Sequence, residues 1–171
     1  MKKILNVFLA LILVFGIFAV GCSDEEGKKD TSTEKQEKIY KMNQVVKVGD
    51  VQYKITKKKA SKTVGNKYLN QKAQGYYLII DISIKNLGDE SLTVSNDFFK
   101  LYNGKKEYEA DTDGAIYLGD DSIIYQDINP DVTLKGKVIF DVPKKVANSK
   151  DNVLQVQTGI FGTETEKIQL K

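Results

Sequence analysis

The chain has 171 residues with 26 basic against 23 acidic side chains; every basic residue is lysine, histidine and tryptophan are absent, and Cys22 is the single cysteine. That composition excludes Ser-His-Asp and Cys-His nucleophile systems, imidazole or thiolate zinc sites, bidentate guanidinium recognition of phosphate and a disulfide within the chain. The near-neutral balance provides no global basic field for nucleic acid.

Lys2 and Lys3 stand before an apolar run from Ile4 to Val20, and Ala19-Val20-Gly21-Cys22 closes it. The pattern predicts an export signal over 1–21. A small residue before a cysteine at this place resembles the bacterial lipobox, in which the cysteine thiolate takes a diacylglyceryl group. Two acyl chains hold far better than one, so Cys22 is expected to anchor the chain stably in the cell membrane. Removing 21 of 171 residues leaves 150, one domain's worth. Residues 23–43 offer only Ile39, Tyr40 and Met42 as sizeable apolar groups, too few to offset the entropy of ordering. The segment from Cys22 to residue 43 is therefore expected to be a flexible tether, and 44–171 the folded domain.

Within that domain the hydrophobic period is two. Val51-Gln-Tyr53-Lys-Ile55 alternates, as do Leu78, Ile80, Ile82 and Ile84, with Asp81, Ser83 and Lys85 on the other face; 138–142 and 154–158 repeat the pattern. Such segments predict antiparallel strands with one wet face. The stretch Ala60 to Gln74 holds few core residues and reads as a long loop. Ser95-Asn-Asp-Phe-Phe predicts one short helical turn before the next hairpin. Asn103-Gly104 predicts a type I′ turn that pairs Phe99–Tyr102 with Lys105–Tyr108. Turn signals at Gly49-Asp50, Gly88-Asp89, Gly119-Asp120 and Asn129-Pro130-Asp131 complete a spacing that favours a two-sheet sandwich of about seven to nine strands.

Val46-Lys-Val-Gly-Asp50, the run from Tyr77 to Leu92, the Phe99–Tyr108 hairpin and Gly136-Lys-Val-Ile-Phe-Asp-Val-Pro143 resemble a family of secreted bacterial lipoprotein domains of unknown function, related to a secreted immunogenic antigen family. The resemblance covers roughly Val45 to Leu170. It implies an all-β, antiparallel, immunoglobulin-like sandwich outside the cell, and it transfers no catalytic residue.

Two charged blocks are hidden by the neutral total. Residues 107–134 contain no lysine but eight acids, with Tyr108, Tyr117 and Tyr125 among them. Glu109, Asp111, Asp113 and Asp120 match much of the spacing of a calcium loop, with Gly114 at its sixth position. Glu at the first position and Asp at the twelfth depart from that pattern, and the flanks read as strands. Residues 53–72 hold seven lysines and no acid; Lys57, Lys58, Lys59 and Lys62 form the candidate patch for an anionic partner, against the alternative of a charged edge that resists aggregation.

The function these features predict is a non-catalytic, lipid-anchored binding or interaction module on the extracellular face of the cell membrane, of Gram-positive type, without a cofactor and without nucleic acid as partner. A small-ligand, sugar or calcium binder using the Tyr-rich segment 107–131 is the second reading. A hydrolase using paired carboxylates such as Asp111 with Asp113, or Asp120 with Asp121, is the third.

Overall fold

The alternating segments pair into two sheets packed face to face. The computed structural model describes residues 38–158 and 164–171; the export signal, Cys22 and the tether up to residue 37 lie outside these residues. In chain order the elements are β1 (Ile39–Lys41), β2 (Val46–Val48), β3 (Val51–Gly65), β4 (Asn70–Asn86), β5 (Leu92–Thr93), β6 (Phe99–Asn103), β7 (Lys106–Glu109), α1 (Thr112–Ile116), β8 (Asp127–Ile128), β9 (Thr133–Val142), α2 (Lys144–Ala147), β10 (Asn152–Gln157) and β11 (Thr165–Gln169). One sheet has the order β1-β11-β10-β6-β7 and the other β2-β3-β4-β9, while β5 and β8 make a separate two-stranded ribbon. The fold is the expected all-β sandwich, and its two main sheets hold nine strands.

The inward parity is the one the alternation predicts. Tyr53, Ile55, Leu78, Ile80, Ile82, Ile84, Val138, Phe140 and Val142 from the four-stranded sheet meet Phe99, Leu101, Leu154, Val156 and Ile168 from the five-stranded one, all buried. The Tyr53 ring stands edge-on to Phe99 at 6.3 Å between centroids, an arrangement favoured by the ring quadrupoles. Its hydroxyl crosses the core and donates to the Gln157 carbonyl at 2.6 Å. Burial holds this phenol well above the usual tyrosine range. Asn86, at the end of β4, donates to the carbonyls of Glu90 (2.6 Å) and Ile128 (2.9 Å) and accepts from the Gly88 amide (2.9 Å). It thereby fixes the β5–β8 ribbon to the sheet.

Ser95 caps the short 3-10 turn Asn96–Phe98, the helical turn the sequence predicts, by accepting from the Asp97 amide. Three local expectations are corrected. Ile39–Lys41, assigned to the tether, forms β1 and runs parallel to β11; Tyr40 and Met42 pack against the core, so the segment gains from the sheet the apolar contact it lacks alone. In the β6–β7 hairpin Asn103 pairs with Lys106, so the turn residues are Gly104 and Lys105. Positive φ falls on Gly104 and not on Lys105, the signature of a II′ turn rather than I′.

The third correction concerns 60–74, which is strand apart from the turn at 66–69: β3 and β4 pair from Val51 with Asn86 out to Gly65 with Asn70. The ladder is broken twice: Thr56 is an extra residue between the pairs Ile55 with Ile82 and Lys57 with Asp81, and Lys62 alone faces the four residues 73–76 of β4, between the pairs Ser61 with Tyr77 and Thr63 with Lys72. Two side chains take up peptide groups freed at this second break. Lys62 Nζ donates to the carbonyls of Ala73 (3.0 Å), Gln74 (3.2 Å) and Gly75. The Asp141 carboxylate accepts from the amides of Gln74 (2.7 Å) and Gly75 (2.9 Å). Gly75 is required by close approach, since a Cβ there would lie 2.3 Å from the Val142 carbonyl oxygen.

Candidate functional site on the outer sheet face

The outer positions of the four-stranded sheet are the alternates of its core positions: Lys57 and Lys59 on β3, Tyr77, Ile79, Asp81 and Ser83 on β4, and Lys135, Lys137 and Ile139 on β9. Residues 110–124 cross part of this face and leave the rest open. Asp111 starts the crossing; its amide donates to the Ile139 carbonyl at 2.8 Å and its carboxylate caps α1 by accepting from the Gly114 amide at 2.9 Å. The helix lies on Tyr77 so closely that a Cβ on Gly114 would stand 3.0 Å from the ring. Burial, followed by the carboxylates of Asp111, Asp141 and Asp113, pushes the Tyr77 phenol up to about 12.

Beyond α1, the 3-10 turn Gly119–Asp121 leads to Ser122 and Ile123, which run beside β9; the Ile123 amide donates to the Lys137 carbonyl at 3.3 Å. Gly136 makes room for them, because a Cβ there would meet the Asp121 carbonyl oxygen and Ile123 Cγ2 at 2.6 Å each. The chain crossing and the sheet enclose two open hollows of about 540 and 580 Å³ that share Asp81, Asp121 and Lys137 and so form one groove. Lys57, Lys59, Ser61 and Thr63 of β3 form one wall; Tyr117, Leu118 and Ile116 form the opposite one. Lys137 Nζ is ion-paired with Asp121, which fixes the floor. The groove therefore offers ammonium, carboxylate and hydroxyl groups beside Tyr117 and the aliphatic side chains of Val64, Leu69, Ile79, Ile116 and Leu118, along an open channel rather than in a closed cavity.

The residues predicted to bind calcium are not brought together. Asp111 is committed to the cap of α1, Glu109 lies on β7 opposite Lys100, and Asp113 and Asp120 are exposed on α1 and the following turn. Among the described residues no group of three or more acids is placed to hold a metal ion. The loop spacing fails because a helix, and not a ligand-wrapping loop, follows Asp111. The four lysines of the candidate patch are likewise divided. Lys57 and Lys59 line the groove; Lys58 donates to the Ser149 carbonyl at 2.7 Å, with its ammonium pKa lowered by burial; Lys62 serves the β4 bulge. Tyr117 and Asp121 belong to the acidic, Tyr-rich segment 107–131 that the sequence offers for sugar binding or hydrolysis, whereas Asp81 and Lys137 belong to no motif. The signal for Asp81 and Lys137 is their outward parity on strands whose inner face is apolar.

A family described as a domain of unknown function, DUF4352, matches residues 40–168. The uncharacterized lipoprotein YcdA of Bacillus subtilis is 30% identical over 146 residues, which cover 84% of this chain and 36% of that protein. The chain thus spans about a third of the length of that relative. Among solved structures, an uncharacterized β-sandwich protein of Clostridium difficile superposes with a TM-score of 0.53 at 19% identity, covering 81% of this chain and 98% of the other. The secreted protein MPT63 of Mycobacterium tuberculosis does so with a TM-score of 0.53 at 15% identity, covering 79% of this chain and 97% of the other. These two likenesses show the fold.

Proposed function

The chain belongs to the DUF4352 family, and from that premise we propose that it is a non-catalytic, lipid-anchored module that binds an envelope glycan in the groove on its outer sheet face. The groove itself carries the reading. Its lining alternates charged donors and acceptors, Lys57, Lys59, Asp81, Asp121 and Lys137, with the Tyr117 ring, a combination suited to sugar hydroxyls and to stacking against a pyranose. An open channel suits a chain passing along it, whereas drug-sized ligands are held in largely closed, apolar pockets.

Anchoring outside the cell is supported by the Ala19-to-Cys22 sequence and by the name lipoprotein given to YcdA. The absence of a catalytic role is supported by the residue types, and in each candidate acid pair one member is already engaged: Asp111, paired with Asp113, caps α1, and Asp121, paired with Asp120, binds Lys137.

Calorimetric titration of residues 36–171, a compact unit of the chain, with glycan-strand fragments is expected to show binding that Tyr117→Ala and Lys57→Gln each weaken. Equal affinity in wild type and both variants would remove the groove from the account. For the anchor, Cys22→Ser is expected to abolish incorporation of a fatty-acid analogue; label retained in that variant would contradict lipidation at Cys22.

A further inference from the structure

The β3–β4 turn presents two apolar side chains to solvent on an ordered frame. Tyr68 is 85% exposed and Leu69 60%. They are held there rather than left loose: the Asn66 side chain accepts from the amides of Tyr68 (2.8 Å) and Leu69 (2.9 Å), and the Asn66 amide donates to the Leu69 carbonyl at 2.8 Å. Gly65, at φ +105°, allows the chain to enter this turn. Single exposed apolar residues are ordinary on protein surfaces; here two adjacent ones sit at an apex with a one-sided charge environment. No acid occurs between Asp50 and Asp81, while Lys67 and Lys72 flank the apex, and the Lys67 ammonium lies 4.5 Å over the Tyr68 ring.

From this juxtaposition we propose that the β3–β4 tip docks on an anionic lipid bilayer, Tyr68 and Leu69 entering the interfacial zone while Lys67 and Lys72 meet headgroup phosphates. The chemistry fits that partner in both parts. Tyrosine favours the boundary between headgroups and acyl chains. Ammonium groups gain from the negative surface potential only within about a Debye length, roughly 8 Å at physiological salt, which requires the apex to be at the surface. The consequence is a second point of attachment besides the acylated cysteine, one that sets the orientation of the domain. Leu69 also lines the groove, so the vesicle test is run without glycan.

The chain has no tryptophan, so Tyr68→Trp in the full chain is a unique reporter. With vesicles containing phosphatidylglycerol, its emission is expected to shift to the blue and to be quenched by bromine-labelled acyl chains. Both effects should be lost with phosphatidylcholine alone, at high salt, and when Lys67→Gln and Lys72→Gln are added. Val132→Trp is the control: Val132 is exposed and adjoins Lys85 at the opposite end of β4, so it should not be quenched. Equal quenching at 68 and 132, or quenching at 68 that ignores lipid charge, would overturn the proposal by reducing membrane contact to the anchor. A response of Tyr68→Trp to soluble polyglycerol phosphate without bromolipid quenching would overturn it in favour of an anionic polymer.

Discussion

Lys62 and Asp141 complete the hydrogen bonding of the same peptide units: the ammonium of one takes the carbonyls of Ala73, Gln74 and Gly75, and the carboxylate of the other takes the amides of Gln74 and Gly75. Between them they replace the ladder bonds that β3 cannot supply where β4 bulges. Charge-assisted bonds of this kind are about twice as strong as neutral ones, and losing them leaves backbone groups unpaired. Asp141→Asn keeps one acceptor oxygen and loses the charge. It should lower stability by about 1–3 kcal/mol in urea melts, and Lys62→Gln by a similar amount. Amide exchange at Gln74 and Gly75 should rise in both. Unchanged exchange would show that the bulge holds itself.

Ile82 is buried on the inward face of β4, and Lys85 on the same strand reaches outward to Asp131 at 3.4 Å. Ile82→Ala should destabilise by about 2–5 kcal/mol through lost transfer energy and the residual cavity, and Lys85→Ala by under about 0.5 kcal/mol. Equal urea midpoints for the two variants would contradict the assigned parity.

Tyr77 titrates late because it is buried beneath α1 and near three carboxylates, which raise its pKa from 10.0 to about 12. The folded state thus holds the phenolic proton more tightly than the unfolded chain does. The stability this provides is complete below pH 10 and is lost as pH rises through 12. Thermal melts over that range should show a steeper fall for wild type than for Tyr77→Phe, with Tyr53 contributing equally to both. Parallel falls would place Tyr77 in a solvated setting.

Gly136 occupies a position where a Cβ would meet Asp121 and Ile123 at 2.6 Å. Gly136→Ala should destabilise by about 1–3 kcal/mol through overpacking. It should also displace Asp121, one of the groove acids, and weaken whatever the groove binds. A variant with wild-type stability would show that 121–123 sits more loosely against β9 than the distances indicate.

The sandwich was legible because Ile80, Ile82, Ile84 and Phe140 obey a period of two, which records a buried face directly in the sequence. What escaped was set by contacts between distant segments. The bulge at 73–76 depends on Asp141, so nothing near Lys62 reveals that its ammonium binds backbone. β1 exists because β11 offers an edge; alone, Ile39 to Met42 is too short to order. The groove residues are more instructive still. Asp81 and Lys137 were visible as outward positions, but their meeting with Asp121 and Tyr117 depends on α1 folding back over Tyr77, a contact made by Gly114 and encoded in no local pattern. Conversely, the spacing of Glu109, Asp111, Asp113 and Asp120 looked like a ligand loop only while its backbone was unknown; once Asp111 caps a helix, the spacing loses that meaning.

Backbone amide shifts of isotope-labelled residues 36–171 locate the binding surface. On titration with a glycan-strand fragment, the shifts should cluster on the outer sheet face at Lys57, Lys59, Asp81, Tyr117 and Lys137, and Tyr117→Ala should diminish them. Shifts gathered instead on the five-stranded sheet, around Tyr102 or Lys167, would contradict binding on that face.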